Sequence, residues 1–261
     1  MKICVLVKEV PDAAVQKRLN NGRMDRGGEK NLNPYDTHAI EEAVRIKEAG
    51  NVTVDEVVAV SMGPESADRA IRKAISLGVD RAVHLCDEAV AGSDVAATGL
   101  ALAKTLEQES PDLVLLGQQS DDGECYTIGA VVADHLKMPS LTQVIKLDVV
   151  EGQLTAERQA EYGYDTVEIS GPAVISVGDA INEPRYPSLK AIMGAKKKPV
   201  DKKTIGDIGV EASQVGEAGS KARWFEAHEP AAKSAGTIIE DEDTDETVEK
   251  IVAWLDERKL I

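Results

Sequence analysis

Aromatic side chains make up only 3% of the 261 residues, with a single phenylalanine. That scarcity removes the stacking surface on which single-stranded nucleic acids are held. A net charge of −16 points the same way, because an acidic chain repels phosphate backbones, so nucleic acid is not an expected partner. The three cysteines, Cys4, Cys86 and Cys125, stand far apart and form no CxxC pair. An odd number without ligand spacing argues against a disulfide framework and for a reducing compartment. His38, His84, His135 and His228 are scattered, with no two at metal-ligand spacing. Asp121, Asp122 and Glu124 have no histidine or second acidic cluster beside them, so they read as loop polarity. Nucleophile elbow, Gly-Lys-Ser/Thr phosphate loop and GxGxxG run are all absent. The apolar run in MKICVLVKEV is too short for a signal peptide or a membrane span. The expectation is a cytoplasmic protein without direct membrane insertion and without catalytic residues of its own.

What is present is alternation. KICVLVK is a β-branched apolar run that reads as a strand buried on both faces. QKRLNNGRMDRGG is rich in turn residues and suggests a hairpin or an excursion outside the core. Pro34 opens a helix that carries Ala39, Ile40, Ala43 and Val44 on one face until Gly50. DEVVAVSM is a second strand. After Gly63-Pro64 comes a helix with Ala67, Ala70, Ile71, Ala74 and Ile75 on one stripe. RAVHL is a third strand, a helix capped by Ser93 repeats through Val95, Gly99, Leu102 and Leu106, and DLVLLG is a fourth strand. Four such alternations with short connections predict an α/β fold with a doubly wound, mostly parallel sheet, helices on both faces and right-handed crossovers. Ligands in such folds bind beyond the strands' C-terminal ends, which singles out Val10-Pro11-Asp12, Ser61 to Pro64 and Gly117 to Thr127. From 141 onward, KLDVVEGQLTAERQAEYGYDTVEIS and PAVISVG read as antiparallel strands extending the sheet.

Residues 178 to 199, GDAINEPRYPSLKAIMGAKKKP, read as neither a core strand nor an ordinary helix. Pro184 stops the preceding strand, Ser188 is placed to cap a short helix, and Leu189, Ile192 and Met193 share one face of it. The helix ends at Gly194, and Lys196, Lys197 and Lys198 follow where a helix C-terminus favours cations. Two readings are open: an exposed docking element, or three apolar residues closing over the protein's own core with the lysines as a solvated tail. After Pro199 periodicity is lost, and EDEDTDE at 240 to 246 forms an acidic run, until Val248, Ile251, Val252 and Leu255 mark a last amphipathic helix. The arm between lies either against a partner or against its own domain.

NEPRYPSLKAIMGAKKKP resembles the signature of the electron-transfer flavoprotein beta subunit. VLVKEVPD, NPYDTHAIEEAVRIKE, AVSMGPE, RKAISLGVDRAVHL, PDLVLLGQQSDDGE and PSLTQV follow in the family's order. The resemblance covers at least residues 1 to 210. It implies a Rossmann-like sheet of the adenine-nucleotide alpha-hydrolase type, a nucleotide-binding domain over 1–200 with a partner-recognition loop at 182–198, and a C-terminal arm and helix over 201–261 packing on an alpha subunit. It implies a FAD shared with that alpha subunit and an AMP held by this chain. Carried onto this sequence, the cofactor-binding positions are Val7, Lys8, Glu9, Val10, Asn33, Tyr35, Met62, Gly63, Gly117, Gln119, Asp122, Gly123, Cys125, Tyr126, Thr127 and Ile128, with Tyr35 nearest the flavin. The docking positions are Tyr186, Leu189 as the anchor, Ile192, Met193, Lys196, Lys197 and Lys198.

The sequence also departs from the family's pattern. Tyr126-Thr127-Ile128 stands where single-flavin members carry an Asn-Gln-Thr-like triplet, and Asp122-Gly123-Glu124 is similar to the Asp-Gly-Asp of the flavin-bifurcating branch. Ala13 and Gln159 replace an aromatic and a glutamate found in some members. The resemblance therefore implies the beta subunit of a heterodimeric electron carrier, not an enzyme by itself. It would take electrons from acyl-CoA or related dehydrogenases and pass them towards an electron-transfer flavoprotein quinone oxidoreductase. A bifurcating subunit with a second FAD is one alternative, and an adenine-nucleotide-binding regulatory protein is another.

Overall fold

The computed structural model describes residues 1–16, 18–20, 23–223, 227–228, 231, 235–236, 238–239 and 243–261. The first strand, β1 (Lys2–Leu6), leads into a short ribbon of β2 (Glu9–Pro11) paired antiparallel with β5 (Lys30–Leu32). Between them the expected excursion forms a minimal ladder, β3 (Leu19–Asn20) against β4 (Arg23–Met24). The main body continues with α1 (Pro34–Ala49), β6 (Glu56–Met62), α2 (Asp68–Ser76), β7 (Arg81–Leu85), α3 (Val95–Glu109), β8 (Leu113–Gly117) and α4 (Ile128–Leu136). Pro34 at the first helical position and a left-handed Gly50 at the C-cap, φ 70°, delimit α1. The cap of α3 is Asp94, whose carboxylate accepts from Ala97 N at 2.9 Å, and not Ser93, whose hydroxyl donates to Val90 O instead.

A long meander follows, β9 (Ser140–Val150), β10 (Gln153–Ala160) and β11 (Gly163–Ser170), and then β12 (Ala173–Val177). The sheet order is β11-β10-β9-β12-β8-β1-β6-β7, closed at the far edge by β13 (Val200–Lys203) beyond α5 (Leu189–Ala195). From β9 to β13 every neighbouring pair is parallel, and β10 alone runs against its neighbours. PAVISVG therefore departs from the antiparallel expectation: β12 inserts between β8 and β9 and lies parallel to both. Its residues are buried throughout, whereas β11 alternates half-buried and exposed positions as a solvent-facing antiparallel strand does.

Alternation along the central strands splits the core into two layers. Ile3 and Val5 pack with Ile40 and Ala43 of α1 and Ile71 and Ala74 of α2. Cys4 and Leu6 face the other way, against Leu102 and Leu106 of α3 and Val132 of α4. Gly99 lets α3 and α4 approach, since a Cβ there would lie 2.3 Å from Val131 Cγ1. The connections reverse between β1 and β8: β6 and β7 lie on one side of β1, and β8 and β12 on the other. A ligand crevice is expected at that switch point.

The chain after Pro199 returns to its own unit, at least at first. β13 pairs with β7, and Ile208, Val210 and Val215 pack with Leu85, Val90 and Ala101, ahead of the single turn α6 (Gly216–Gly219). Residues 1–227 form one compact unit and 228–261 a second. The latter contains α7 (Thr244–Glu257), whose N-cap Asp243 accepts from Asp245 N and Glu246 N. Val248, Ile251 and Val252 on it are exposed. Residues 240–242 of the acidic run, and several stretches of the arm, lie outside the described residues.

Cys4 has no exposed surface, and burial pushes its thiol up to about 12. Cys86 and Cys125 are only half-buried. With iodoacetamide at pH 8, the isolated chain should expose Cys86 and Cys125 to alkylation, Cys86 more slowly than a free thiol because burial and the Glu65 carboxylate raise its pKa, and Cys4 should react only as fast as the chain unfolds. Cys4 labelling at the rate of Cys86 would contradict this packing.

Candidate nucleotide and docking sites

A cavity of about 260 Å³ opens at the switch point. Its walls come from the ends of three strands, Leu6 to Lys8, Val60 with Met62, and Leu116 to Ser120. The start of α3 (Val95, Thr98) and the turn into α4 (Gly123, Cys125, Tyr126, Ile128) complete them. Gly117 is required where α1 begins, since a Cβ there would stand 2.6 Å from the Tyr35 backbone and 2.7 Å from Asp36 Oδ1.

Asn33 organises this end of the sheet. It is 1% exposed, and its Nδ2 donates to Asp36 Oδ1 at 2.9 Å and to the Gln119 carbonyl at 2.8 Å, while its Oδ1 accepts from Asp121 N at 3.1 Å. Its backbone N–H donates to Lys8 O, and Lys8 N donates to Asp36 Oδ2 at 2.8 Å. One buried pair of side chains thus joins the end of β1, the start of α1 and the loop after β8. Burial pushes Asp36 up to about 7, although Asn33 and the backbone of Lys8 and Gly117 donate to its carboxyl and pull the other way.

A second carboxylate in the same loop behaves in the opposite manner. The Asp122 side chain is fully buried, yet Lys8 Nζ meets its Oδ1 at 2.6 Å and Arg26 Nη2 meets its Oδ2 at 2.7 Å. Burial alone would raise its pKa, but the Lys8 charge and the hydrogen bonds from Lys8, Arg26 and Ser120 outweigh it and hold Asp122 down at about 2. Arg26 comes from the excursion between β2 and β5, so this ion triad ties the excursion to the loop.

Ten of the cofactor positions taken from the sequence line the cavity: Val7, Lys8, Asn33, Met62, Gly117, Gln119, Gly123, Cys125, Tyr126 and Ile128. The others have different surroundings. Glu9 is nearly buried and holds Lys30 and Ser66, and Val10 is buried in the β2–β5 ribbon. Gly63 O faces His84 Nε2 at 3.0 Å. Tyr35 is half-buried in the first turn of α1, Asp122 sits behind the wall, and the Thr127 hydroxyl lies 3.1 Å from Cys125 Sγ. Sequence reasoning missed Asp36 and the α3 residues Val95, Thr98 and Leu102. Asp36 was signalled by its place three residues after Asn33, a spacing at which side chains on a helix's first turn meet. For α3, the repeat through Val95, Gly99, Leu102 and Leu106 marks an amphipathic helix without saying that Val95, Thr98 and Leu102 border the cavity.

The segment between β12 and β13 projects outward. Ser188 caps α5, its Oγ accepting from Ala191 N, and within the helix only Ala195 is buried. Tyr186 is 95% exposed, Leu189 74%, Met193 64% and Ile192 44%, so these residues do not close over their own core. Lys196 and Lys197 are exposed. Lys198 differs from them, because its ammonium donates to Val79 O at 2.7 Å and is bound into the unit.

Asp36 makes stability pH-dependent in a definite sense. With its folded pKa raised, its contribution is complete below the ordinary carboxylate range and is lost as pH rises through about 7. The melting temperature of the native chain relative to Asp36→Asn should therefore be most favourable at pH 5 and should decline by pH 7.5. A constant difference across that window would mean that Asp36 does not change protonation.

Residues 22–207 match the electron transfer flavoprotein domain. The electron transfer flavoprotein subunit beta of Mycobacterium bovis is 42% identical, with 99% of each chain covered. That of Thermoanaerobacterium thermosaccharolyticum is 36% identical over the full length of both. The caffeyl-CoA reductase-Etf complex subunit CarD of Acetobacterium woodii is 34% identical, again over the full length of both. The fold, the family-model match and full-length relatives at this level of identity agree: the chain belongs to the electron transfer flavoprotein family, as a beta subunit.

Proposed function

We propose that this chain pairs with an electron transfer flavoprotein alpha subunit, shares a FAD with it, and docks acyl-CoA or related dehydrogenases through the segment around Leu189, the electrons then passing towards a membrane quinone oxidoreductase. The observation that carries this reading is the separation of two features on one unit: a half-open cavity at the switch point, and an apolar segment presented to solvent beyond β12. An electron carrier needs a cofactor within reach of its partner's cofactor and a surface that binds transiently. When bound, the flavin supplies the redox chemistry. The chain's own residues position and dock, and Tyr35 is our candidate for the flavin edge. Lys196 and Lys197 favour an acidic partner surface, an effect that salt should weaken.

The cavity suits an adenine mononucleotide. At about 260 Å³ it falls just below the roughly 300–1,000 Å³ of pockets that enclose drug-sized ligands, which favours AMP over a whole dinucleotide. Gln119 Oε1 is buried there with no hydrogen-bond donor among the described residues, so it has an acceptor to offer a bound amine or hydroxyl. The amides of Gly123 and Glu124 are spent on the Ser120 carbonyl, so those of Cys125 to Thr127, at the start of the nine-residue α4, are the ones suited to a phosphate. A second reading is a bifurcating complex with a second FAD in place of AMP. It is favoured by Ile128, which lines the cavity and offers no hydroxyl to a terminal phosphate. No helix among the described residues is long and apolar enough to cross a membrane.

Two measurements test this. Denaturing the purified heterodimer and counting released nucleotides should give one FAD and one AMP, whereas two FAD and no AMP would select the second reading. Leu189→Ala should leave the flavin spectrum and melting temperature unchanged. It should weaken docking to a reduced acyl-CoA dehydrogenase about ten- to hundredfold, the equivalent of the roughly 1.5–3 kcal/mol gained by burying a leucine. Collapse of thermal stability with docking intact would make Leu189 a packing residue.

A further inference from the structure

The exposed segment is fastened at both ends, and the fastening at its start is unusually complete. Arg185 meets two carboxylates seven residues apart on α1. Its Nε donates to Glu41 Oε2 at 2.7 Å, and Nη1 and Nη2 donate to the two oxygens of Glu48 at 2.7 and 2.8 Å. The Arg185 backbone N–H also donates to Glu41 Oε2 at 3.1 Å. Glu41 is 5% exposed and is shared with Arg45, so its charge depends on these partners. Three residues earlier, Asn182 Nδ2 donates to His38 O and to Glu42 Oε2, again on α1. At the other end Arg72 of α2 donates to the carbonyls of Ala195 and Lys198 at 3.0 and 2.7 Å. Between these anchorages, the side-chain hydrogen bond among the described residues is the local one from Ala191 N to Ser188 Oγ. The apolar residues thus stand on a short span whose two feet are fixed while its crest stays exposed.

We propose that Arg185 is the positioning residue of the docking segment: its clasp on Glu41 and Glu48 sets the place of Leu189 relative to α1 before a partner arrives. The inference rests on the docking reading above and adds what makes the segment effective. A free span of this length would lose conformational freedom on association, and ordering it in advance removes that cost from the binding step. The planar guanidinium is the group for this task. Its forked donors engage two carboxylates at once in fixed geometry, which a lysine ammonium cannot do. Because these donors are directed at α1, Arg185 acts on docking through Leu189 rather than by touching the partner.

The test is a double-mutant cycle in the heterodimer, using the KM for the heterodimer as electron acceptor of an acyl-CoA dehydrogenase from the same organism. Arg185→Ala should raise this KM about tenfold when Leu189 is present, but less than about twofold in a Leu189→Ala background, because the two changes act through the same contact. FAD and nucleotide content should be unchanged, and trypsin should cleave after Lys190 faster than in the native complex. Glu48→Ala, at a carboxylate 59% exposed and therefore of little consequence for folding, should show the same coupled effect at smaller size. An equal rise in both backgrounds would make Arg185 a direct partner contact and overturn the proposal. So would an unchanged KM in Arg185→Ala and Glu48→Ala while Leu189→Ala still raises it. If Leu189→Ala itself has no effect, the docking reading fails, and with it the role assigned to Arg185.

Discussion

The hydrogen bonds of Asn33 and Asp36 are the constraint on which the rest of the cavity depends. Their polar atoms are removed from water, so each must find a partner within the protein. The partners lie on three separated segments: the end of β1, the first turn of α1 and the loop beyond β8. Satisfying them fixes the three segments relative to one another, and Gly117 supplies the clearance this requires. The cavity wall is therefore built by backbone positions that a buried polar pair dictates, with Asp122, Lys8 and Arg26 adding a second tie from the excursion.

The exposed segment between β12 and β13 follows a different logic. Its crest is apolar and exposed, which taken alone would be a liability. Its feet are held by charged and polar side chains reaching to α1 and α2, so the segment's position comes from those helices. Both features meet at α1. The first turn of the helix borders the cavity through Asp36, and its later turns hold Arg185 through Glu41 and Glu48. One rigid element thus sets both the cavity wall and the base of the exposed segment.

Much of this was legible in the sequence because it rests on local signals. Strand and helix alternation, Pro34, Gly50 and Ser188 act over a few residues, and they gave the central architecture and the capped α5. Three things escaped because they depend on distant partners. PAVISVG has the same apolar pattern whichever way its neighbours run, so its parallel place between β8 and β9 is decided by tertiary pairing. Ser93 and Asp94 are equally good caps by type, and the choice fell to Asp94, which also accepts from Lys221 N and Ala222 N on a segment more than a hundred residues away. Lys198 looks like its neighbours in sequence and differs only because the Val79 carbonyl lies within reach. The cofactor positions owed most to family resemblance. The face of α3 that borders the cavity could not be told from ordinary core by periodicity.

The position of β12 also has a consequence for biosynthesis. β8 pairs with β1 on one side, but its other neighbour, β12, is separated from it by the whole β9–β11 meander, and the free side of β7 waits for β13. A ribosome releasing this chain from its N-terminus therefore exposes a half-built sheet of β7, β6, β1 and β8 with two unpaired apolar margins, until residues 173–203 emerge to cover them. Strand edges of this kind invite pairing with other chains. The interval between the synthesis of β8 and that of β13 is thus the period in which these edges stand uncovered.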